Sequence, residues 1–364
     1  MRTVSFSIGF VFAALVGCGS TVTYDGDGGN DGAGASPPGV GGSGLGGVGG
    51  DGGVPNIGGS TDGGNPPEGG SGAGGPVDCA TAPSTAISSQ VLQGARAYHG
   101  IAIDDAGLLW GINQNGTLIR STYEGDWTPF LSNVWVEQIA FAPDGDLHMA
   151  SFGTVLTVTP EAQQQTLSGQ VGGYGLRMGP DGKVWVADSD GVRRIDPNTG
   201  MAEVVALMPP SEGGFVSAHS FDFTPSYDRL VVGTIGDQGQ VRAVDLDENF
   251  NAAGYLEPYL DLQPFSSVWL DGIAFDVCGN FYAANYASSQ LFKVAPNGQS
   301  SVFVDWSNDS SQYGHGVVFG NGKFGFREDA LYLPMPYNGH TVMEVVVGIP
   351  GREYEGVVLN GPTP

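Results

Sequence analysis

The sequence predicts an all-β protein: a six-bladed β-propeller with four antiparallel strands per blade, preceded by a disordered glycine-rich tether. Six similar units follow one another from about residue 98, at intervals of roughly 36–52 residues, which suits four short strands each. Within each unit, short apolar or alternating runs are bounded by Gly, Asp, Asn and Pro, which is the pattern of strands and turns. No segment shows a convincing amphipathic helix pattern, so the repeats are predicted to be blades.

The composition is strongly acidic. The 364 residues include 13 basic and 38 acidic side chains, which gives a formal net charge of −25 at pH 7. Such a surface repels phosphate backbones, so nucleic acid is excluded as a partner. Acidity alone identifies no other partner, because it also serves solubility.

The N-terminus has the pattern of an export signal. A basic start, Met1-Arg2, precedes an apolar run from Val4 to Leu15, which is too short to span a bilayer. The run ends in Leu15-Val16-Gly17-Cys18, which resembles the lipobox of bacterial lipoproteins. That resemblance implies a signal peptide over 1–17 and a lipidated Cys18 that anchors the exported chain in the lipid bilayer of the cell envelope, with the outer membrane or cell surface favoured.

Residues 18–78 are predicted to be a disordered tether. Glycine dominates this stretch, together with Ser, Pro, Asp and Asn, and Tyr24 is its only aromatic residue. Such a composition cannot bury enough apolar surface to offset the entropy of ordering, so we interpret it as a spacer.

The propeller is predicted to occupy residues 79–364, with the first strand of each unit lining a central channel. Two further strand-like segments, 86–93 and 354–358, have no unit of their own. One of them is expected to become the outer strand of the sixth blade and close the ring.

The units resemble NHL repeats and the six-bladed gluconolactonase–regucalcin (senescence marker protein) family. Sequences such as HGIAIDDAGLLWGIN from His99 and YGLRMGPDGKVWVAD from Tyr174 carry the resemblance, which covers residues 86–360. It implies a ligand or metal site where the inner strands begin, although unrelated functions share this fold.

One position in each unit is the strongest candidate for function, because it opens the first strand where the chain enters the channel. Reading units one to six, the residues at this position are His99, Gln138, Tyr174, His219, Asp271 and His315. The fourth, fifth, sixth and first blades are neighbours in a closed ring. His219, Asp271, His315 and His99 are therefore predicted to converge as candidate metal ligands, with the three histidines as candidate catalytic acid–base groups.

The family resemblance bears on the identity of the metal. Gluconolactonase-like propellers hold a divalent cation with a glutamate, an asparagine and an aspartate from the first, fourth and fifth blades. The corresponding residues here are His99, His219 and Asp271, of which only Asp271 matches. Nitrogen ligands would favour zinc or another transition metal over calcium. The alternative interpretation is that these histidines bind no metal and cap their strands.

A second set of polar residues ends the second strands and is expected at the same end of the channel: Asn113, Ser151, Asp188, Thr234 and Asn285. Asp188 and Asn285, with Gln138 and Tyr174, are candidate ligand-binding residues, although turn formation explains this second set more simply. Trp135, Trp269 and Tyr313 flank the same entrances, where blade packing is the simpler role. Of the two remaining histidines, His148 is expected to be structural and His340 to be exposed.

Two function classes follow. The preferred one is an envelope-anchored module that binds a small molecule, glycan, peptide or protein at the channel mouth. The alternative is a metal-dependent hydrolase or lyase that uses the His/Asp set. Export also permits a disulfide between Cys79 and Cys278, but the sequence leaves their pairing open.

Overall fold

The computed structural model describes residues 77–92, 94–151, 153–169, 171–210, 217–236, 240–262, 269–308 and 314–352. The predicted signal peptide, Cys18, nearly all of the tether, Tyr313 and the segment 354–358 lie outside these described residues. Within the described ranges, no helix has the length and apolar character needed to cross a membrane.

The described chain forms six four-stranded antiparallel sheets, which confirms the predicted fold. Blades one and two consist of β2 (Ile101–Ile103), β3 (Leu109–Ile112), β4 (Thr117–Ser121), β5 (Trp127–Ser132), and β6 (Gln138–Phe141), β7 (Leu147–Ser151), β8 (Thr154–Val158), β9 (Gln164–Ser168). Blades three and four consist of β10 (Gly175–Met178), β11 (Val184–Asp188), β12 (Gly191–Ile195), β13 (Ala202–Leu207), and β14 (Ser217–Phe223), β15 (Arg229–Ile235), β16 (Gln240–Asp245), β17 (Glu257–Asp261).

Blade five consists of β18 (Leu270–Phe275), β19 (Phe281–Asn285), β20 (Gln290–Val294) and β21 (Ser300–Asp305). Blade six consists of β22 (Val318–Phe319), β23 (Ala330–Met335), β24 (Thr341–Val346) and the N-terminal strand β1 (Ser88–Leu92). Two short 3₁₀ turns, Cys79–Thr81 and Tyr286–Ser288, are the helical elements of the described chain.

Strand β1 closes the ring. It pairs antiparallel with β24, with Ser88 opposite Val346 and Leu92 opposite Val342, so it supplies the outer strand of blade six. Of the two segments that the sequence offered, 86–93 therefore contains the closing strand. The first and last parts of the propeller are held together in one sheet.

The hydrophobic core lies between blades. Each of six buried clusters combines residues of two neighbouring blades; Trp185 of blade three, for example, packs edge-on against Phe223 of blade four at 4.9 Å between ring centroids. The inner strands of successive blades also contact one another, as β6 contacts β10 and β14 contacts β18. This packing brings the starts of six distant strands to one end of the channel, which we call the upper end.

A buried charge network fills the channel toward its lower end. Arg177 donates hydrogen bonds to the main-chain oxygens of Phe221 and Ile273, so one side chain bridges three inner strands. Asp222, which has no exposed surface, lies 2.6 Å from the guanidinium of Arg352, which follows blade six in the chain. The upper end of the channel therefore has a polar floor.

Cys79 and Cys278 form a disulfide with their Cα atoms 5.4 Å apart, which resolves the pairing that the sequence left open. Cys278 lies in the turn between β18 and β19, at the lower end. The Lys293 ammonium also donates a hydrogen bond to the main-chain oxygen of Pro83 at 2.6 Å. The segment that precedes β1 is thus fastened beneath blade five.

Candidate functional site

Each blade places one side chain at the upper end, and the strand register identifies it. In blades four and five it lies within the inner strand, as His219 is third in β14 and Asp271 second in β18; in the other blades it precedes the strand. In blade three, the Tyr174 amide donates to Ala187 O, while Gly175 lies opposite Ala187. In blade two, the Glu137 amide donates to Ala150 O, while Gln138 lies opposite Ala150. Glu137, not Gln138, is therefore the blade-two counterpart of Tyr174, and the assignment of Gln138 to this position was wrong by one residue.

The corrected set is one residue from each blade, which we call the mouth ring: His99, Glu137, Tyr174, His219, Asp271 and His315. Glu137 could have been found in the sequence by aligning EQIAF directly on YGLRM, since both repeats then start at the same position. The one-residue error matters because successive side chains of a strand point in opposite directions.

Asp271 joins two histidines of the mouth ring. Its Oδ1 lies 2.5 Å from His219 Nε2, and its Oδ2 lies 2.8 Å from His315 Nδ1. A carboxylate accepts but does not donate, so these two nitrogens carry the hydrogens. The remaining nitrogens, His219 Nδ1 and His315 Nε2, are buried and have no hydrogen-bond partner among the described residues.

His99 and Glu137 continue the same cluster. His99 Nδ1 lies 3.1 Å from Glu137 Oε2, and the His99 ring meets the His315 ring with 4.5 Å between centroids. The side chains of His99 and Glu137 are 25% and 17% exposed to solvent, against 9% for Asp271. They therefore form the more accessible part of the ring. The structure thus brings His99, His219, Asp271 and His315 together, as the repeat alignment predicts.

The electrostatics of the ring follow from burial and close packing. Burial, together with the imidazoles of His315 and His219, lowers the pKa of His99 to about 3, so His99 is neutral at pH 7. Burial raises the pKa of Glu137, and Asp271 adds to that effect. Burial by itself would also raise the pKa of Asp271, but the two imidazoles hold it well below its ordinary value. Asp271 is therefore ionised.

Aromatic rings surround the histidines. Tyr174, the remaining member of the mouth ring, lies over His219 with 4.3 Å between ring centroids. Tyr98 contacts His99 at 4.8 Å, and Tyr286 contacts His315 at 4.7 Å. The Trp269 ring stacks on Tyr286 at 6.0 Å and is 38% exposed. Tyr174 therefore packs on His219 within the mouth ring, and Trp269 lies next to Tyr286. Both the packing and the ligand-contact interpretations of Trp269 have a structural basis.

Gln138 lies near the glycines that follow His99 and His315. A Cβ atom built on Gly100 would fall within 2.6 Å of Gln138 Cα, and one on Gly316 would lie 3.6 Å from Gln138 Nε2. The Gln138 Oε1 atom accepts a hydrogen bond from the Ile139 amide at 3.1 Å. Gln138 thus reaches from blade two toward blades one and six.

Four of the five polar residues that end the second strands have structural partners. Asn285 Oδ1 accepts from the Trp269 and Ala287 amides, and its Nδ2 donates to Ser288. Asp188 lies 2.9 Å from Arg193. Asn113 and Thr234 bond within their own turns, at Asn115 N, Thr117 N and Gln240 O. These hydrogen bonds agree with the interpretation that these residues form turns.

The predictions for the remaining aromatic and histidine residues have different outcomes. Trp135 is 57% exposed, so the predicted role in packing between blades does not apply to this residue. His148 is 3% exposed and its Nδ1 lies 2.9 Å from Thr157 Oγ1, which confirms a structural role. His340 was predicted to be exposed, but it is only partly exposed, because its ring packs on Tyr98 with 5.5 Å between ring centroids.

The arrangement of the ring differs from a metal cage. No group of three His, Cys, Asp or Glu side chains among the described residues is placed to hold a metal ion. Both oxygens of Asp271 already accept from imidazoles. The chemistry that this geometry offers is hydrogen-bond acceptance and proton transfer through carboxylate–imidazole pairs.

Comparison with solved structures supports the fold. The chain is similar to regucalcin, a calcium-binding protein from Agrobacterium tumefaciens, with a TM-score of 0.57 and 14% identity over 73% of this chain and 95% of that one. It is similar to a gluconolactonase from Xanthomonas campestris, with a TM-score of 0.58 and 13% identity over 72% and 89% of the two chains.

An auxiliary nutrient binding protein from Bacteroides thetaiotaomicron is also similar, with a TM-score of 0.55 and 12% identity over 71% of this chain and 70% of that one. No protein-family model and no curated protein sequence matches the chain. At these identities the likeness concerns architecture alone: the chain has the six-bladed β-propeller fold of the regucalcin and gluconolactonase structures.

Proposed function

We propose that the protein is an envelope-anchored lipoprotein whose propeller binds a ligand at the mouth of its central channel. The observation that carries the proposal is the mouth ring itself, in which six blades contribute polar or aromatic side chains at one end of a channel with a polar floor. Export and anchoring rest on the apolar run and Cys18 at the N-terminus. The name of the similar Bacteroides protein, a nutrient binding protein, agrees with a binding role.

The ring has the features of a binding site more than of a structural cap. Buried polar atoms nearly always have hydrogen-bond partners, yet His219 Nδ1 and His315 Nε2 have none in the described chain. A strand cap would need one histidine bonded to its own turn. Here, histidines of different blades share a buried carboxylate instead.

A thermal-shift screen of the full chain, with amines, monosaccharides and dipeptides as probes, tests the proposal. A ligand of the mouth ring should raise the melting temperature of the wild-type protein and leave the Asp271→Asn variant unshifted. A probe that stabilises both proteins equally binds elsewhere, and the absence of any shift across the three classes would count against the proposal.

The second candidate is a hydrolase or lyase, and the carboxylate–imidazole pairs are the observation that favours it. Because the described residues hold no three-ligand group, acid–base catalysis fits the geometry better than the metal-dependent form expected from the sequence. Metal analysis of the purified protein, combined with lactone and amide turnover assays, separates these forms. Turnover without bound metal that is lost in His315→Ala would establish the acid–base version.

A further inference from the structure

We propose that the ligand of the mouth ring is a small organic cation, an amine or ammonium compound, that binds at Glu137 and His99 with Asp271 behind them. This inference rests on the proposed binding function and names the chemical class of its ligand. It follows from three properties of the ring: its hydrogen-bonding groups, its charge and its aromatic surroundings.

The first property is an excess of hydrogen-bond acceptors. The imidazole hydrogens of His219 and His315 are already donated to Asp271. Their other nitrogens, Nδ1 of His219 and Nε2 of His315, are buried and have no partner in the described residues, and each is a hydrogen-bond acceptor whenever its ring is neutral. With the carboxylate of Glu137, the ring offers acceptors to a ligand, so the complementary ligand is a hydrogen-bond donor.

The second property is a pair of carboxylates without a lysine or arginine partner. In the described chain, Glu137 and Asp271 form ion pairs with histidines and with no Lys or Arg. By contrast, Asp222, a fully buried carboxylate of inner strand β14, is paired with Arg352. The ring differs from that network because histidines are the only ion-pair partners of its carboxylates in the described residues, so we expect a cationic ligand to supply the permanent charge that Arg352 supplies to Asp222.

The histidine that pairs with Glu137 does not neutralise it at pH 7. The partner of Glu137 is His99, whose pKa near 3 keeps it neutral at pH 7. Burial raises the pKa of Glu137, and Asp271 adds to that rise while His219 and His315 oppose it. The net charge of −25 also attracts cations toward the protein and disfavours anionic ligands.

The third property is the aromatic rings beside the accessible part of the ring. Tyr98 contacts His99, and Tyr286 contacts His315. Burial raises the pKa of the Tyr98 hydroxyl, and Tyr337 and Glu137 add to that rise. Carboxylates combined with aromatic side chains are the usual surroundings of organic ammonium groups in proteins.

The test measures binding of putrescine to the full chain by isothermal titration calorimetry. N,N′-diacetylputrescine is the matched neutral probe, and methyl glucoside is the neutral hydroxyl probe. Two isosteric variants, Glu137→Gln and Asp271→Asn, each remove one carboxylate of the ring. Asp305→Asn removes a carboxylate at the exposed end of β21 and is the control for general electrostatic attraction. Melting temperatures establish that each variant is folded.

Putrescine should bind the wild-type and Asp305→Asn proteins with equal affinity, and Glu137→Gln should weaken binding roughly tenfold or more. Asp271→Asn should weaken it as well, and the diacetylated probe should bind far more weakly than putrescine. If Asp271→Asn fails to fold, Glu137→Gln decides alone.

Equal binding of putrescine to the wild-type and Glu137→Gln proteins would overturn the inference, as would equal affinities for the charged and diacetylated probes or no binding of putrescine. Binding of methyl glucoside that depends on Asp271 would also overturn the inference that the ligand is a cation. It would leave the proposed binding function intact. Failure of the proposed function would appear differently, as the absence of any probe that distinguishes the ring variants from wild type.

Discussion

At the scale of single residues, the repeat predicts which positions meet but not how their side chains pair. His99 and His315 lie far apart in sequence, and their equivalent positions in adjacent blades were enough to predict contact. That Asp271 joins two imidazoles depends on rotamers and on local register shifts beside His219 and Asp271, which no strand pattern reveals. Glu137 was missed because a strand alternates its side chains, so an offset of one residue selects the wrong direction.

His148 provides a test of burial at this scale. Its ring is buried, and burial lowers its pKa from 6.5 to about 4, so the folded protein prefers the neutral form. As the pH falls below 6.5, His148 becomes protonated in the unfolded chain but stays neutral in the folded chain down to about pH 4. The folded state is therefore destabilised progressively between these two pH values. Between pH 7 and pH 5, His148 should cost the wild type about 2 kcal/mol.

Urea unfolding of the full chain at pH 7 and pH 5 measures this cost. The His148→Gln variant, which keeps a hydrogen-bonding side chain without a titrating group, should lose about 2 kcal/mol less than wild type over the same pH change. Identical pH dependence of the two proteins would show that His148 is not held neutral in the fold.

At the scale of elements, close contact between inner strands governs which residues are tolerated. A Cβ atom on Gly272 of β18 would lie 2.4 Å from the main-chain carbon of Gly316, in the neighbouring blade. The sequence shows Gly272 in a strand but cannot show this contact, because it belongs to the packing of two blades. The same limit applies to Gly100 beneath Gln138.

Gly272→Ala should therefore destabilise the protein by roughly 1–3 kcal/mol, because two backbones must move apart. Gly169→Ala is the matched control, since a Cβ atom there meets nothing nearer than 4.0 Å. Thermal unfolding should show a lower melting temperature for Gly272→Ala alone. Equal melting temperatures for the two variants would contradict the close contact between blades five and six.

The disulfide acts on another element, the segment before the closing strand. Cys79 and Cys278 are separated by 199 residues, so their bond restricts a long loop of the unfolded chain. Cys79→Ser should cost about 2–5 kcal/mol in stability. Because both cysteines contribute to one bond, Cys278→Ser and the double variant should cost a similar amount, and additive losses in denaturant unfolding would argue against the bond.

At the scale of the whole molecule, the repeat pattern was enough to predict the six-bladed propeller. The proposed anchor belongs to this scale as well, because it would keep the propeller at a lipid surface. The wild-type protein should partition into detergent and have a mature N-terminus at Cys18. Cys18→Ser should be unprocessed or absent from the membrane fraction, and a mature N-terminus elsewhere, mapped by mass spectrometry, would contradict lipidation.

The five histidines of the chain allow the most direct test of the mouth ring. Histidine-selective ¹⁵N labelling of the full chain, with NMR spectra recorded during a putrescine titration, reports on each imidazole separately. The imidazoles of His99, His219 and His315 should respond together with one dissociation constant, because they surround one site, while buried His148 in blade two stays unchanged. If only one of the three responds, or if His148 shifts as much as they do, the six blades do not form a common binding site at the channel mouth.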